Sequence, residues 1–288
     1  MIRSVTIGDR EVGPGQPCFF IAEIGINHNG SVEIAKKLVS ASMLAGCEAV
    51  KFQKRSVDVV YSPQELSAVR ESPFGTTNGD LKRRLEFGVE EYSEIAAHCV
   101  ASNITWFASC WDEGAVDFVD QFDPPCYKVA SASLTDDGLL EHVRSKGKPV
   151  ILSTGMSTLA QIDHAVEVLG KDDLIVLHCT STYPSALEEL NLRCIASFTQ
   201  RYGIPIGYSG HDVGLATSRA AAVIGACLVE RHITLDRAMW GSDQAASVEP
   251  HGFSRLVSDV RSCEEAMGDG VKRVYESEVP IAKKLRRR

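Results

Sequence analysis

At 288 residues, 44% hydrophobic and 24% charged, the chain has an ordinary globular composition and is long enough for a large core. No apolar run approaches the roughly 18 residues a membrane span needs. The formal charge of −8 excludes a general affinity for nucleic acid or anionic membrane, so an anionic ligand would need a local cluster of Lys, Ser and backbone N–H groups.

The first residues, 1–16, read as a short hairpin. Val5-Thr-Ile7 precedes Gly8-Asp-Arg10, and Gly13-Pro-Gly15 closes it, placed to cap the bottom of the main domain. From Cys18 onward eight short apolar runs follow: 18–24, 49–53, 105–109, 126–129, 150–153, 174–179, 206–209 and 227–232. They alternate with helical stretches over 32–45, 89–102, 113–122, 137–146, 159–169, 192–202, 214–224 and 252–267. In the first of these, Ile34, Leu38, Ala41 and Ala45 recur at helical spacing, with Lys36 and Lys37 on the other side. Eight strand–helix units predict an α/β fold, a single closed (β/α)8 TIM barrel over 1–288. An open doubly wound sheet is the alternative, but no Gly-rich dinucleotide fingerprint supports it. Residues 54–87, rich in Ser, Pro, Gly and charge, read as a long active-site loop after the second strand, with Gly75–Asp80 over the barrel mouth. Residues 270–288 read as a solvated tail that ends in a basic run. The nine cysteines are odd in number, form no CxxC and sit mostly in apolar runs. That pattern, with no signal-peptide core at the start, points to reduced thiols and the cytoplasm.

In such a barrel the strands' C-terminal ends form the active site. Those ends carry Glu23, then Lys51 and Gln53, Lys128 and Ser131, Ser153 with the Gly155 backbone, Ser181 and Tyr183, Ser209 and His211, and His232. Lys51 and Lys128 come from different strands and can grip an anion from two directions, with Ser131, Ser153 and Gln53 as neutral partners. A structural Lys–Glu pair with Glu23 is the bland alternative. A carboxylate inside an apolar run, as Glu23 is, needs a partner or a role in proton chemistry. His211 and His232 end consecutive parallel strands, so they emerge side by side and can hold a divalent metal.

At these residues the sequence resembles the sialic acid (N-acetylneuraminate) synthase family. The matching motifs are Ile21-Ala-Glu-Ile-Gly-Ile-Asn-His-Asn-Gly30, Val50-Lys-Phe-Gln53, Tyr127-Lys-Val-Ala-Ser131, Ser153-Thr-Gly-Met156, His178-Cys-Thr-Ser-Thr-Tyr-Pro184, Tyr208-Ser-Gly-His211, Glu230-Arg-His232 and Gly241-Ser-Asp243. They occur in family order over nearly the whole chain. The resemblance implies a barrel enzyme that condenses phosphoenolpyruvate (PEP) with an aldose, typically N-acetylmannosamine, to give a 2-keto-3-deoxy acid. It implies Mn²⁺ or Mg²⁺ held by His211 and His232. It implies a PEP grip of Lys51, Gln53, Lys128, Ser131, Ser153, Ser181 and Ser209, and a catalytic carboxylate at Glu23. Asn78, Tyr183 and Asp243 are implied as sugar contacts, and a homodimer as the assembly.

The chain departs from the family pattern at Ser181, commonly Asn, at Cys110, usually Thr, and at Gly210 of Ser209-Gly-His211. Many members continue into a C-terminal antifreeze-like domain; this sequence stops at Arg288, where that linker would begin. Three other activities compete. One is a synthase for a phosphorylated aldose, with Lys82-Arg-Arg84 as the second phosphate patch. The others are a Schiff-base aldolase using Lys51 or Lys128, and a non-catalytic sugar-binding barrel.

Overall fold

A computed structural model describes residues 2–287. Its strands, in chain order, are β1 (Val5–Ile7), β2 (Arg10–Val12), β3 (Phe19–Gly25), β4 (Ala49–Lys54), β5 (Val69–Ser72), β6 (Gly75–Thr77), β7 (Thr105–Cys110), β8 (Tyr127–Val129), β9 (Val150–Ser153), β10 (Leu174–Cys179), β11 (Ile206–Gly210) and β12 (Leu228–His232). The helices are α1 (Val32–Leu44), α2 (Val57–Val60), α3 (Pro63–Ser67), α4 (Asn78–Leu85), α5 (Val89–Ala101), α6 (Glu113–Asp120), α7 (Asp137–Ser145), α8 (Leu159–Leu169), α9 (Cys194–Tyr202), α10 (Ala216–Val223), α11 (Pro250–Met267) and α12 (Val279–Leu285). Eight parallel strands close in the order β3-β4-β7-β8-β9-β10-β11-β12 and back to β3, the (β/α)8 barrel that the alternation predicts.

The period-two geometry of a strand sorts its side chains between two cores. Phe19, Ile21, Ala49, Phe107, Cys126, Ile151, Ile175, Leu177 and Leu228 fill the barrel interior. Their neighbours Phe20, Ala22, Val50, Trp106, Tyr127, Leu152, Val176 and Val229 face the helices. The antiparallel hairpin β1–β2 adds Val5, Ile7 and Val12 to the interior cluster, so it plugs the barrel bottom as expected. Helices start at side-chain caps. Ser31 accepts from the Ile34 N–H, Asp136 from Leu139 and Asp112 from Ala115, each contributing on the order of 1 kcal/mol.

Two expectations change. Residues 54–87 are a folded excursion, not a loop: α2, α3, the ribbon β5–β6 and α4 occupy most of it. Its order is local. Capping boxes at Ser62/Glu65 and Thr77/Asp80 start α3 and α4, and Leu81 and Leu85 are buried. Gly30, at φ +69°, lets the excursion pack down, because a Cβ there would lie 2.5 Å from the Arg84 carbonyl oxygen. The second change is in the tail, which carries α12 among exposed residues; Arg288 of the expected basic run lies outside the described residues. All nine cysteines are free thiols. No described helix is long and apolar enough to cross a membrane.

Candidate active site

The strands' C-terminal ends enclose a cavity of about 200 Å³. The same alternation that fills the barrel also builds its mouth. One turn of the pleat above the apolar layer, the inward positions become Glu23 on β3, Lys51 and Gln53 on β4, Ser109 on β7, Lys128 on β8, Ser153 on β9, Ser209 on β11, and Glu230 and His232 on β12. Ser131, Ser181, Tyr183, His211, Trp111 and Met156 complete the wall from the loops. The intervening Arg231 points the other way. It is buried behind the mouth, donating to the carbonyls of Gly214 and Asp212 and to Ser218 Oγ, which braces the turn that carries His211.

Lys51 sits between two buried carboxylates, 2.8 Å from Glu23 Oε2 and 3.1 Å from Glu230 Oε2. The pairing with Glu23, the bland alternative, is therefore present, and Glu230 joins it. Burial still pulls Lys51 down to about 7, because the charged form loses its water. Lys128, 2% exposed, is held differently. Its ammonium donates to Ser153 Oγ at 2.6 Å and to its neighbour's carbonyl, Val129 O, at 3.1 Å, and it makes no ion pair among the described residues. A buried ammonium with only neutral partners is poised for an anion.

Glu230 is the residue that sequence reasoning passed over. It accepts from Ser209 Oγ at 2.9 Å, and Lys128, Lys51 and Ser209 outweigh burial to hold its carboxyl at about 2. The signal was available, since Glu230 lies two residues before His232 on one strand, as Ser209 does before His211. Gln53 is more committed than a free ligand donor: its Nε2 donates to Glu23 Oε1 at 2.9 Å and its Oε1 accepts from Arg55 at 2.9 Å. Gly25 makes room for this group. It sits at a register shift in β3, with φ +54°, and a Cβ there would lie 2.9 Å from Glu23 Oε1 and 3.2 Å from Gln53 Nε2. Ser131 Oγ accepts from the Gly155 N–H at 2.9 Å, so that part of the anion wall is preorganised.

His211 and His232 are neighbours, ring centroids 5.7 Å apart, with the Tyr183 ring 4.2 Å from His211. His211 Nδ1 faces the Thr180 carbonyl at 2.7 Å. A carbonyl only accepts, so Nδ1 carries the proton and Nε2 keeps a lone pair. Burial, then the neighbouring His232, pulls His211 down to about 3; burial lowers His232 too, against the pull of Asp243. Both rings are neutral at neutral pH, as metal ligands must be. His232 Nδ1 is buried and unpaired among the described residues. The pair thus fits a divalent cation. No set of three or more His, Cys, Asp or Glu side chains among the described residues is arranged to hold one, so an ion here would keep open positions.

Two implied sugar contacts are not part of this lining. Asn78 begins α4, donating to the Glu65 carbonyl at 3.2 Å and accepting from Arg70 at 3.3 Å; the excursion uses it internally, away from the mouth lining. Asp243 is outside the lining as well, accepting from Ser242 Oγ, and reaches the site through its charge on His232. A larger groove of about 960 Å³ between α8 and α9 shares Met156 and Ser181 with the mouth but has an apolar character and no paired cations.

A closed parallel barrel whose C-terminal mouth sets two buried lysines, two carboxylates and two neutral imidazoles around one small cavity defines a barrel enzyme of anionic substrates. The NeuB family model matches residues 38–272, and the chain belongs to the NeuB family. It is 38% identical over 282 residues to the N-acetylneuraminate-9-phosphate synthase of Homo sapiens, covering 96% of this chain and 78% of that one. It is 32% identical over 290 residues to the N,N'-diacetyllegionaminic acid synthase of Legionella pneumophila, covering 97% and 82%. The crystal structure of N-acetylneuraminic acid synthetase from Leptospira borgpetersenii serovar Hardjo-bovis, in complex with citrate, superposes with a TM-score of 0.87 at 28% identity, covering 100% of this chain and 99% of that one.

Proposed function

We propose that this enzyme condenses PEP with an unphosphorylated aldose of the N-acylhexosamine type, releasing phosphate and a nonulosonic acid. The observation that carries this is Lys128, an ammonium buried at the mouth with no carboxylate of its own among the described residues. Family membership and the two named synthases support the reaction class.

Lys128, Lys51, Ser153 and Ser131 hold the phosphate and carboxylate of PEP, with Ser181 and Ser209 at the edge of the same wall. His211 and His232 would hold the cation, and the nitrogen donors favour Mn²⁺ over Mg²⁺, which prefers oxygen. When bound, the ion supplies Lewis-acid polarisation of the aldehyde oxygen. C3 of PEP attacks the aldehyde carbon, the aldehyde oxygen takes up a proton, and water adds at C2 with loss of a proton. The bond between C2 and the bridging oxygen breaks, so that phosphate leaves with that oxygen while the C2 hydroxyl gives up its proton and becomes the ketone. Glu23, fixed by Gln53 and Lys51, is placed to take the proton from that water. Tyr183, beside both imidazoles, flanks the sugar.

The acceptor is read as unphosphorylated because two of the three cations in the basic run of α4 already have partners. Lys82 lies over the Tyr61 ring and Arg83 pairs with Asp58. A panel of free and phosphorylated aldoses, assayed for PEP-dependent phosphate release, tests this. Free N-acylhexosamines are expected to be the better substrates; faster turnover of the 6-phosphates would overturn the acceptor assignment. The depressed Lys51 gives a second expectation. An anion beside it favours the ammonium, so its pKa rises on binding. At about pH 8 the free enzyme's Lys51 is mostly neutral, and PEP binding should take up close to one proton. Calorimetry in buffers of different ionisation heat reads this. Lys51→Arg, charged throughout, should abolish the uptake, and an unchanged uptake in that variant would assign it to another group.

A further inference from the structure

Arg55 lies directly behind the mouth and lines no part of it. It is 6% exposed, and each of its three guanidinium nitrogens is engaged. Nε donates to Glu86 Oε1 at 2.9 Å, Nη1 to Tyr61 Oη at 3.0 Å and Nη2 to Gln53 Oε1 at 2.9 Å, while its backbone N–H donates to Glu86 Oε2 at 3.1 Å. The guanidinium also lies 5.1 Å from the Trp111 ring, another wall of the cavity.

We infer that Arg55 is the positioning residue for the Glu23 carboxylate, acting through the Gln53 amide, and that it ties this carboxylate to the folded excursion after β4. The inference rests on the reading of Glu23 as the group that handles the proton. Its logic is donor and acceptor arithmetic. An ionised carboxylate only accepts, so Gln53 must turn its NH2 towards Glu23. A guanidinium only donates, so Gln53 must turn its carbonyl towards Arg55. Both demands select one of the amide's two orientations. Without the guanidinium one of the two demands is lost and the Gln53 carbonyl is left without its partner, so the amide's hold on the Glu23 carboxylate loosens. Glu86 and Tyr61 belong to the 54–87 segment, so the clamp closes only when that segment is folded against the barrel. Lysine cannot replace arginine here, because a single ammonium cannot serve Glu86, Tyr61 and Gln53 in one plane.

The test is a double-mutant cycle on the full chain with Arg55→Met, Gln53→Met and the pair, read as kcat and KM for PEP. Arg55→Met should lower kcat roughly 10–100-fold, the usual cost of losing an orienting partner, with KM for PEP held within about threefold. The double variant should be no slower than Gln53→Met alone, because Arg55 acts only through that amide. Arg55→Lys should recover at most a minor part of the loss. Unchanged kcat in Arg55→Met would overturn the inference, as would losses that multiply in the double variant, or a loss confined to KM. If Arg55→Met fails to fold by circular dichroism, Arg55→Lys, which retains an ion pair with Glu86, enters the same cycle. Glu23→Gln separates the two readings. Full activity in Glu23→Gln refutes its role in proton transfer, whereas an inactive Glu23→Gln beside a fully active Arg55→Met refutes the positioning role alone.

Discussion

Lys128→Met is expected to raise KM for PEP by about 30- to 4,000-fold, the roughly 2–5 kcal/mol that truncating one side of a buried charged contact costs. The size follows from its surroundings. Lys51 already has two carboxylates, at 2.8 and 3.1 Å, so part of its charge is answered before any ligand arrives. Lys128 has a hydroxyl and a carbonyl, and its charge is the one left for the substrate. The same reasoning gives the opposite expectation for the free protein. Removing a buried ammonium relieves its desolvation, which offsets the lost attraction to Glu230. The melting temperature without PEP should therefore stay within a few degrees, about 2–4 °C per kcal/mol for a chain of this size, while PEP should no longer raise it. A large loss of stability with an unchanged KM would make Lys128 a structural residue and remove the main support for an anion site.

His211→Ala and His232→Ala should each lower kcat by at least about a thousandfold, since the cation proposed for them would lower the barrier by several kcal/mol. Neither change should unfold the barrel. His211 gives up one hydrogen bond to a backbone carbonyl, worth about 1 kcal/mol, and His232 has a buried nitrogen that is unpaired among the described residues to begin with. Binding of Mn²⁺ followed by electron paramagnetic resonance supplies a readout independent of turnover. With only two protein ligands the site depends on both, so either variant should lose stoichiometric binding. Retained Mn²⁺ affinity in both would place the metal elsewhere.

Much of the mouth was legible because a strand repeats every two residues. Lys51 with Gln53, and Ser209 with His211, are pairs at that spacing, and each follows an apolar inward residue by the same step. Parallel strands then bring the pairs to one rim without any further information. What the sequence left open was pairing. Whether Lys51 meets Glu23, Glu230 or a ligand depends on distances between strands that are remote in the chain. Glu230 was visible as a motif residue, yet nothing in its neighbours announces that Lys51 would pair with it as well as with Glu23. The excursion over 54–87 was misread as a loop because its helices are only four to eight residues long, too short for apolar periodicity to register. Its caps, Ser62 with Glu65 and Thr77 with Asp80, were the available signal. Asn78 lies within it, outside the mouth lining, and its hydrogen bonds join residues of that segment to one another.

The most direct measurement is the mass of what forms when the protein is given PEP, an N-acylhexosamine and Mn²⁺. The account predicts a new acid whose mass equals PEP plus aldose plus water minus phosphoric acid, one phosphate released per molecule formed, and no product once EDTA is added. Intact PEP in the presence of every component, phosphate released without an aldose, or product formation that persists in EDTA would contradict it.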